Sequence, residues 1–254
     1  IFVIIIVHAT YVTVIRPNAE LIQEQQQLMQ EQNPDIVPER SVFIIVRDYE
    51  QEFCIIFFLW AVTIIGMKTQ HTLRQRALLE RTLVQLQDGM SILPEDSRNY
   101  ARPVQALGPK EKEFLLPRAL LAGLHRFQST QNIHAVSSII KDTCETEADR
   151  METELSIVRY IAWAIPSIGF LGTVRGIGTA LGQAYQAVAG DIAGVTQSLG
   201  VAFNSTFVAL VVSIFLMFLL HQLQLQQDRL VLDCQNYCDE RLIRHMQVPE
   251  KANS

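Results

Sequence analysis

The sequence predicts an all-α integral membrane protein: four transmembrane helices with a helical cytoplasmic domain built from the loop between spans 2 and 3 and the C-terminal helix extension. Three observations carry this. Hydrophobic residues make up 49% of the 254, and they gather in blocks instead of keeping one amphipathic period. Four blocks qualify as spans or partial spans: Ile1 to Ile15, Phe53 to Met67, Ile157 to about Val188, and Leu199 to Leu220. Between and beyond them, apolar residues recur at helical spacing among charged ones. A crossing takes roughly 20 mainly apolar residues, so the last two blocks suffice and the second is short unless it borrows flanking residues.

Charge sets the orientation. Between Arg16 and Glu52 the acids (Glu20, Glu24, Glu31, Asp35, Glu39, Asp48, Glu50, Glu52) outnumber Arg16, Arg40 and Arg47, whereas Lys68, Arg74, Arg76 and Arg81 follow the second block and Arg229, Arg241 and Arg244 the fourth. Basic flanks stay in the cytoplasm. The expected organisation is an N-terminal membrane hairpin (1–67) with an external loop (16–52), a cytoplasmic helical domain (68–156), transmembrane helices 3 and 4 (157–222) and a cytoplasmic C-terminal helix and tail (223–254). Both termini are then cytoplasmic. The net charge of −5, without a basic run interleaved with aromatics, argues against a nucleic-acid partner.

The first block starts abruptly at Ile1, so further residues upstream are expected. No small-residue cleavage site follows it and Arg16-Pro17 ends it, which disfavours a signal peptide. His8 lies within it beside Thr10, Tyr11 and Thr13. An ionisable group at membrane depth is a functional suspect, but a neutral imidazole bonded to a neighbouring helix is the favoured account. Glu20 to Gln32 reads as a solvated helix or loop closed by Asn33-Pro34, and Val42 to Val46 as a short strand or the lead into the next helix.

After the second block, Leu73, Leu79, Leu83 and Leu86 mark an amphipathic helix over Thr72 to Gly89. Gly89, Pro94, Pro103, Gly108 and Pro109 predict an irregular loop, and Lys110 to about Phe127 a helix interrupted at Pro117. From Asn132 the apolar face of Ile133, Val136, Ile139, Ile140, Met151, Leu155 and Val158 predicts one long helix entering span 3, with Pro166 kinking it. Leu219, Leu220, Leu223, Leu230, Tyr237 and Leu242 carry span 4 far into the cytoplasm in the same way. These helices are expected to bundle with those of Thr72 to Phe127. Cys54, Cys144, Cys234 and Cys238 give no disulfide framework. Cys234 and Cys238 could be half a metal site, but nothing nearby completes it, so neither metal nor cofactor is expected.

Spans 3 and 4 carry residues that lipid does not favour. Gly172, Gly176, Ala180 and Ala184 form one small-residue strip, joined by Gly169, and Ala202, Thr206, Ala209 and Ser213 form another. Such strips let backbones approach closely. Packing alone does not account for Thr173, Asn204, Ser205 and Thr206 around them, since polar groups in hydrocarbon need helices, water or an ion path as partners. Arg175, near mid-span, costs about 2.5–3.5 kcal/mol on insertion scales. It is either a structural anchor or part of conduction or subunit coupling, and it points away from Thr173. Neither span holds Asp or Glu, so if ions pass, a second protein is expected to supply the titrating carboxylate.

The stretch Pro166 to Gly178, PSIGFLGTVRGIG, followed by Ala202 to Leu210, AFNSTFVAL, resembles the signature of the MotA/TolQ/ExbB proton-channel family. The four-span layout resembles its MotA-like members, as does Val201, where ExbB and TolQ carry glutamate. The resemblance implies a bacterial inner-membrane homopentamer around a dimer of an ExbD/TolR/MotB-like single-span subunit whose aspartate binds the ion. It further implies pore-facing Thr173 and Thr206, Pro166 at the cytoplasmic entrance, and ion flow that drives mechanical work. Asn204 and Ser205 add polarity suited to sodium as well as protons. The competing reading is a non-conducting scaffold assembled through the small-residue strips. No Ser/His/Asp set, phosphate loop or paired carboxylate suggests an enzyme. Arg74, Arg76, Glu80 and Arg81 form a charged face that is either solvated, the favoured account, or a contact for a cytoplasmic protein.

Overall fold

The computed structural model describes residues 2–32, 41–81, 83–84, 90–188, 190 and 192–248. Among them the regular structure is helical, apart from one isolated pairing of Ile92 with Met246. Four helices are long and apolar enough to cross a membrane, over Phe2–Gln26, Tyr49–Leu79, Ile133–Gly182 and Gly194–His245. The expected all-helical, four-span class is therefore the one observed. The chain divides into two compact units, one of residues 1–65 and 157–220, the other of 66–156 and 221–254.

In the first unit, α1 (Phe2–Thr10) continues through a π-helical turn, Tyr11–Ile15, into α2 (Arg16–Gln32). Arg16-Pro17 therefore does not end the first helix. The Arg16 N–H reaches back five residues to the Tyr11 carbonyl, and this wider turn accommodates a proline that has no N–H to give. Glu20 to Gln32 is helical; Asn33-Pro34 lies outside the described residues. Val42–Ile45 forms the short α3, and α4 (Tyr49–Leu79) already includes Glu50 and Glu52 in its first turn. Acids there favour the helix dipole, so the last residues expected in the external loop are built into a helix.

Spans 3 and 4 are α9 (Ser156–Gly182), with a short α10 (Ala184–Val188) after it, and α11 (Ala193–Arg241). The break at Gln183 follows three glycines, Gly176, Gly178 and Gly182, each weakening the helix. The Gln183 N–H is shared between the carbonyls of Thr179 and Ala180, both at 3.2 Å. Only Leu155 separates α8 (Ile133–Glu154) from α9, and its backbone stays right-handed at φ −87°, ψ −4°. The long helix into span 3 is thus present with a one-residue interruption.

The second unit has its own apolar core. Leu115, Leu120, Leu124 and Phe127 of α7 (Leu115–Thr130) pack with Val136, Ile140 and Cys144 of α8 and Leu230, Cys234 and Cys238 of α11. The Asn132 side chain caps α8 by accepting from the Ala135 N–H at 3.3 Å. Three expectations are corrected here. α4 stops at Leu79, and Leu83 and Val84 are buried without helix; Leu86 and Gly89 lie outside the described residues. The Pro-rich stretch is not simply a loop, because Pro94 opens a 3₁₀ turn, α5 spans Ser97–Gln105 around Pro103, and Pro109 opens α6 (Pro109–Lys112). Likewise Pro117 does not interrupt α7. It falls in the first turn, where the N–H has no intrahelical acceptor to lose.

Candidate functional site

The first unit brings α9 and α11 together as antiparallel neighbours at their smallest residues. A Cβ built on Gly169 would lie 2.4 Å from the Ala209 Cβ, one on Gly172 2.5 Å from the Ser205 Cβ, and one on Gly176 2.7 Å from the Ala202 Cβ. No real side chain fits at such distances, so the glycines are what permit this approach. Ala180 is also buried, whereas Ala184 is exposed in α10. The strip on span 3 therefore begins at Gly169 and ends at Ala180, just before the helix breaks at Gln183.

Thr173 and Thr206 meet within this contact. The Thr173 hydroxyl reaches the Ala202 carbonyl at 3.1 Å and the Gly169 carbonyl at 3.4 Å. The Thr206 hydroxyl reaches the Gly169 carbonyl at 3.2 Å, and the two hydroxyl oxygens are themselves in contact. Each hydroxyl carries one proton. When both donate to carbonyls, the contact between them holds no proton; when one donates to the other, a carbonyl is released. The pair therefore has two alternative hydrogen-bond arrangements.

Pro166 leaves the Ala162 carbonyl without its main-chain donor, and the buried Ser213 hydroxyl of α11 donates to it at 3.4 Å. The neighbouring Ile165 carbonyl accepts from the Cys54 thiol at 3.7 Å. The carbonyl freed by Pro166 is thus taken up by a side chain of an adjacent helix. Asn204 is half-buried. Ser205 is only 1% exposed and faces α4 instead of an open surface.

The start of α4 supplies polar residues that were expected to lie in a loop. Glu50 pairs with Arg175 at 2.8 Å, so Arg175 has an acidic partner within the chain. Gln51 is fully buried; its amide N–H donates to the Ile45 carbonyl at 3.1 Å and to the Ser205 hydroxyl at 3.4 Å. Glu52 is 5% exposed and bonds His8 at 2.7 Å as well as Arg16, whose guanidinium lies 4.3 Å over the Tyr49 ring. His8 therefore bonds a neighbouring helix. The π turn contributes to this clamp. Eight residues of α-helix leave His8 and Arg16 roughly 80° apart, and one extra residue in a turn reduces that to about 20°. Just before α4, burial pushes the Asp48 carboxyl up, against the opposing pull of Arg47 and Arg175.

The remaining candidates lie elsewhere. In the second unit Arg76 pairs with Asp233 at 3.4 Å and Arg81 with Glu111 at 3.3 Å, so part of the charged face is engaged internally. All four cysteines are buried free thiols, and among the described residues no group of three or more His, Cys, Asp or Glu is placed to hold a metal.

Residues 111–236 match the model of the MotA/TolQ/ExbB proton channel family. This is the family that the stretch from Pro166 to Leu210 resembles, and the matched region holds the whole contact between α9 and α11 described above. No curated protein and no solved structure matches the chain.

Proposed function

We propose that the chain is the ring subunit of an ion-driven membrane motor in a bacterial inner membrane. Five copies surround two copies of an ExbD/TolR/MotB-like single-span subunit, and flow of protons, or of sodium, is converted into rotation or other mechanical work. The observation that carries this reading is the Thr173–Thr206 hydroxyl pair, set within a glycine-lined helix contact inside the region matched to a proton channel family. Its two hydrogen-bond arrangements suit a wall past which a proton or hydrated cation moves. Asn204 extends that wall and Pro166 marks its cytoplasmic entrance. The titrating aspartate comes from the partner, because α9 and α11 contribute none between 157 and 222.

One observation favours the scaffold reading: the two hydroxyls already have backbone partners, so they satisfy each other without any ion. The mass of the intact complex, purified from native membranes through this chain, separates the two. A five-to-two complex with a smaller single-span protein supports the motor; a homodimer or monomer contradicts it.

A further inference from the structure

We propose that the head of α4 is a third, positioning element of the ion path, acting on the threonine pair through Gln51 and Glu50. This rests on the conducting reading above. Each threonine is preceded by a residue that α4 touches. Gln51, with no solvent exposure, donates to the hydroxyl of Ser205, which precedes Thr206. Glu50 packs its Cγ 3.2 Å from where a Cβ on Gly172 would lie, and Gly172 precedes Thr173. Glu50 also holds Arg175, two residues beyond Thr173, at 2.8 Å. The adjacent pair Glu50 and Gln51 therefore grips both channel helices beside the hydroxyl pair.

The chemistry exceeds what packing needs. An apolar residue at position 51 would fill the space, whereas the Gln51 amide leaves its Oε1 buried with no partner among the described residues. An orphaned buried acceptor costs about 1–3 kcal/mol. The amide cannot simply be turned over, because the Ile45 carbonyl needs a donor at the Nε2 position. Ser205 meanwhile donates to the Val201 carbonyl at 3.0 Å, so Gln51 reads the Ser205 oxygen as an acceptor and fixes which way that hydroxyl points. Through it, Gln51 sets the rotation of α11 that presents Thr206 to Thr173. Gln51 and Glu50 are thus positioning residues.

The test uses the complex purified through the full-length chain, reconstituted in vesicles containing a pH-sensitive dye, with flux measured across a range of pH and the assembly followed by mass. Gln51→Leu is expected to lower flux about tenfold with assembly intact. Gln51→Glu, which places a titratable group against Ser205, is expected to move the midpoint of the flux–pH profile, a change that a packing role would not produce. Should either fail to assemble, Ser205→Ala breaks the same bond from the other side and is expected to lower flux in an assembled complex. Wild-type flux blocked by Thr206→Val, but unaltered in size and profile by these assembled variants, overturns this inference and leaves the conducting reading intact. Absence of flux in the wild type overturns both.

Discussion

Gly176 and Gly178 stand two residues apart on α9 and should respond to alanine in opposite ways. A Cβ at 176 meets the backbone N of Ala202 and the carbonyl of Ser198, both at 2.8 Å, whereas one at 178 meets nothing within 4 Å among the described residues. Gly176→Ala is expected to cost about 1–3 kcal/mol by overpacking, and Gly178→Ala to be neutral or to gain up to about 1 kcal/mol. Detergent unfolding of the two variants checks this; equal effects would contradict the close α9–α11 contact. The glycines and threonines were readable in the sequence because lipid gives no reward for them. Glu50 and Gln51 were not, since acids before an apolar run resemble an ordinary external flank. Their partners Arg175 and Ser205 lie 125 and 154 residues away, a separation no local pattern reports. Ser205 was recognised as polar, but a strip drawn on one helix cannot show that this hydroxyl turns toward α4.

Prolines divide the elements into those that sequence periodicity placed and those it did not. Pro17, Pro103 and Pro117 looked like stops, yet a π turn or a first-turn position absorbs Pro17 and Pro117, and α5 forms around Pro103. A proline breaks a helix only where an N–H was needed, and that depends on the register of hydrogen bonds around it. At Pro166 one was needed, and Ser213 meets the freed carbonyl. In a double-mutant cycle, Ser213→Ala should cost roughly 0.6 kcal/mol in the parent and close to nothing in the Pro166→Ala background, where the main chain again satisfies Ala162. Equal costs in both backgrounds would contradict that pairing. On α8, Asn132→Ala should cost about 1 kcal/mol through loss of the cap to Ala135, measurable as a lowered thermal midpoint.

For the molecule as a whole, the block pattern of hydropathy was enough to place four spans, because the bilayer demands long apolar helices and little else yields them. The interior of the second unit was harder to foresee: its core draws on Leu83, Ile92, Cys144, Cys234 and Cys238, some of them outside any periodic helix. That core predicts that Cys144, Cys234 and Cys238, each no more than 1% exposed, resist a maleimide in the folded protein and label only after denaturation. Rapid labelling of the native protein would place them at a surface instead. The central claim is that the Thr173–Thr206 pair lines an ion path, and ion flux through the reconstituted complex tests it most directly. The wild-type complex is expected to dissipate an imposed pH or sodium gradient, with Thr173→Val and Thr206→Val each lowering the flux at least about tenfold while the assembled mass is unchanged. An assembled Thr173→Val/Thr206→Val complex conducting as well as the wild type would contradict it.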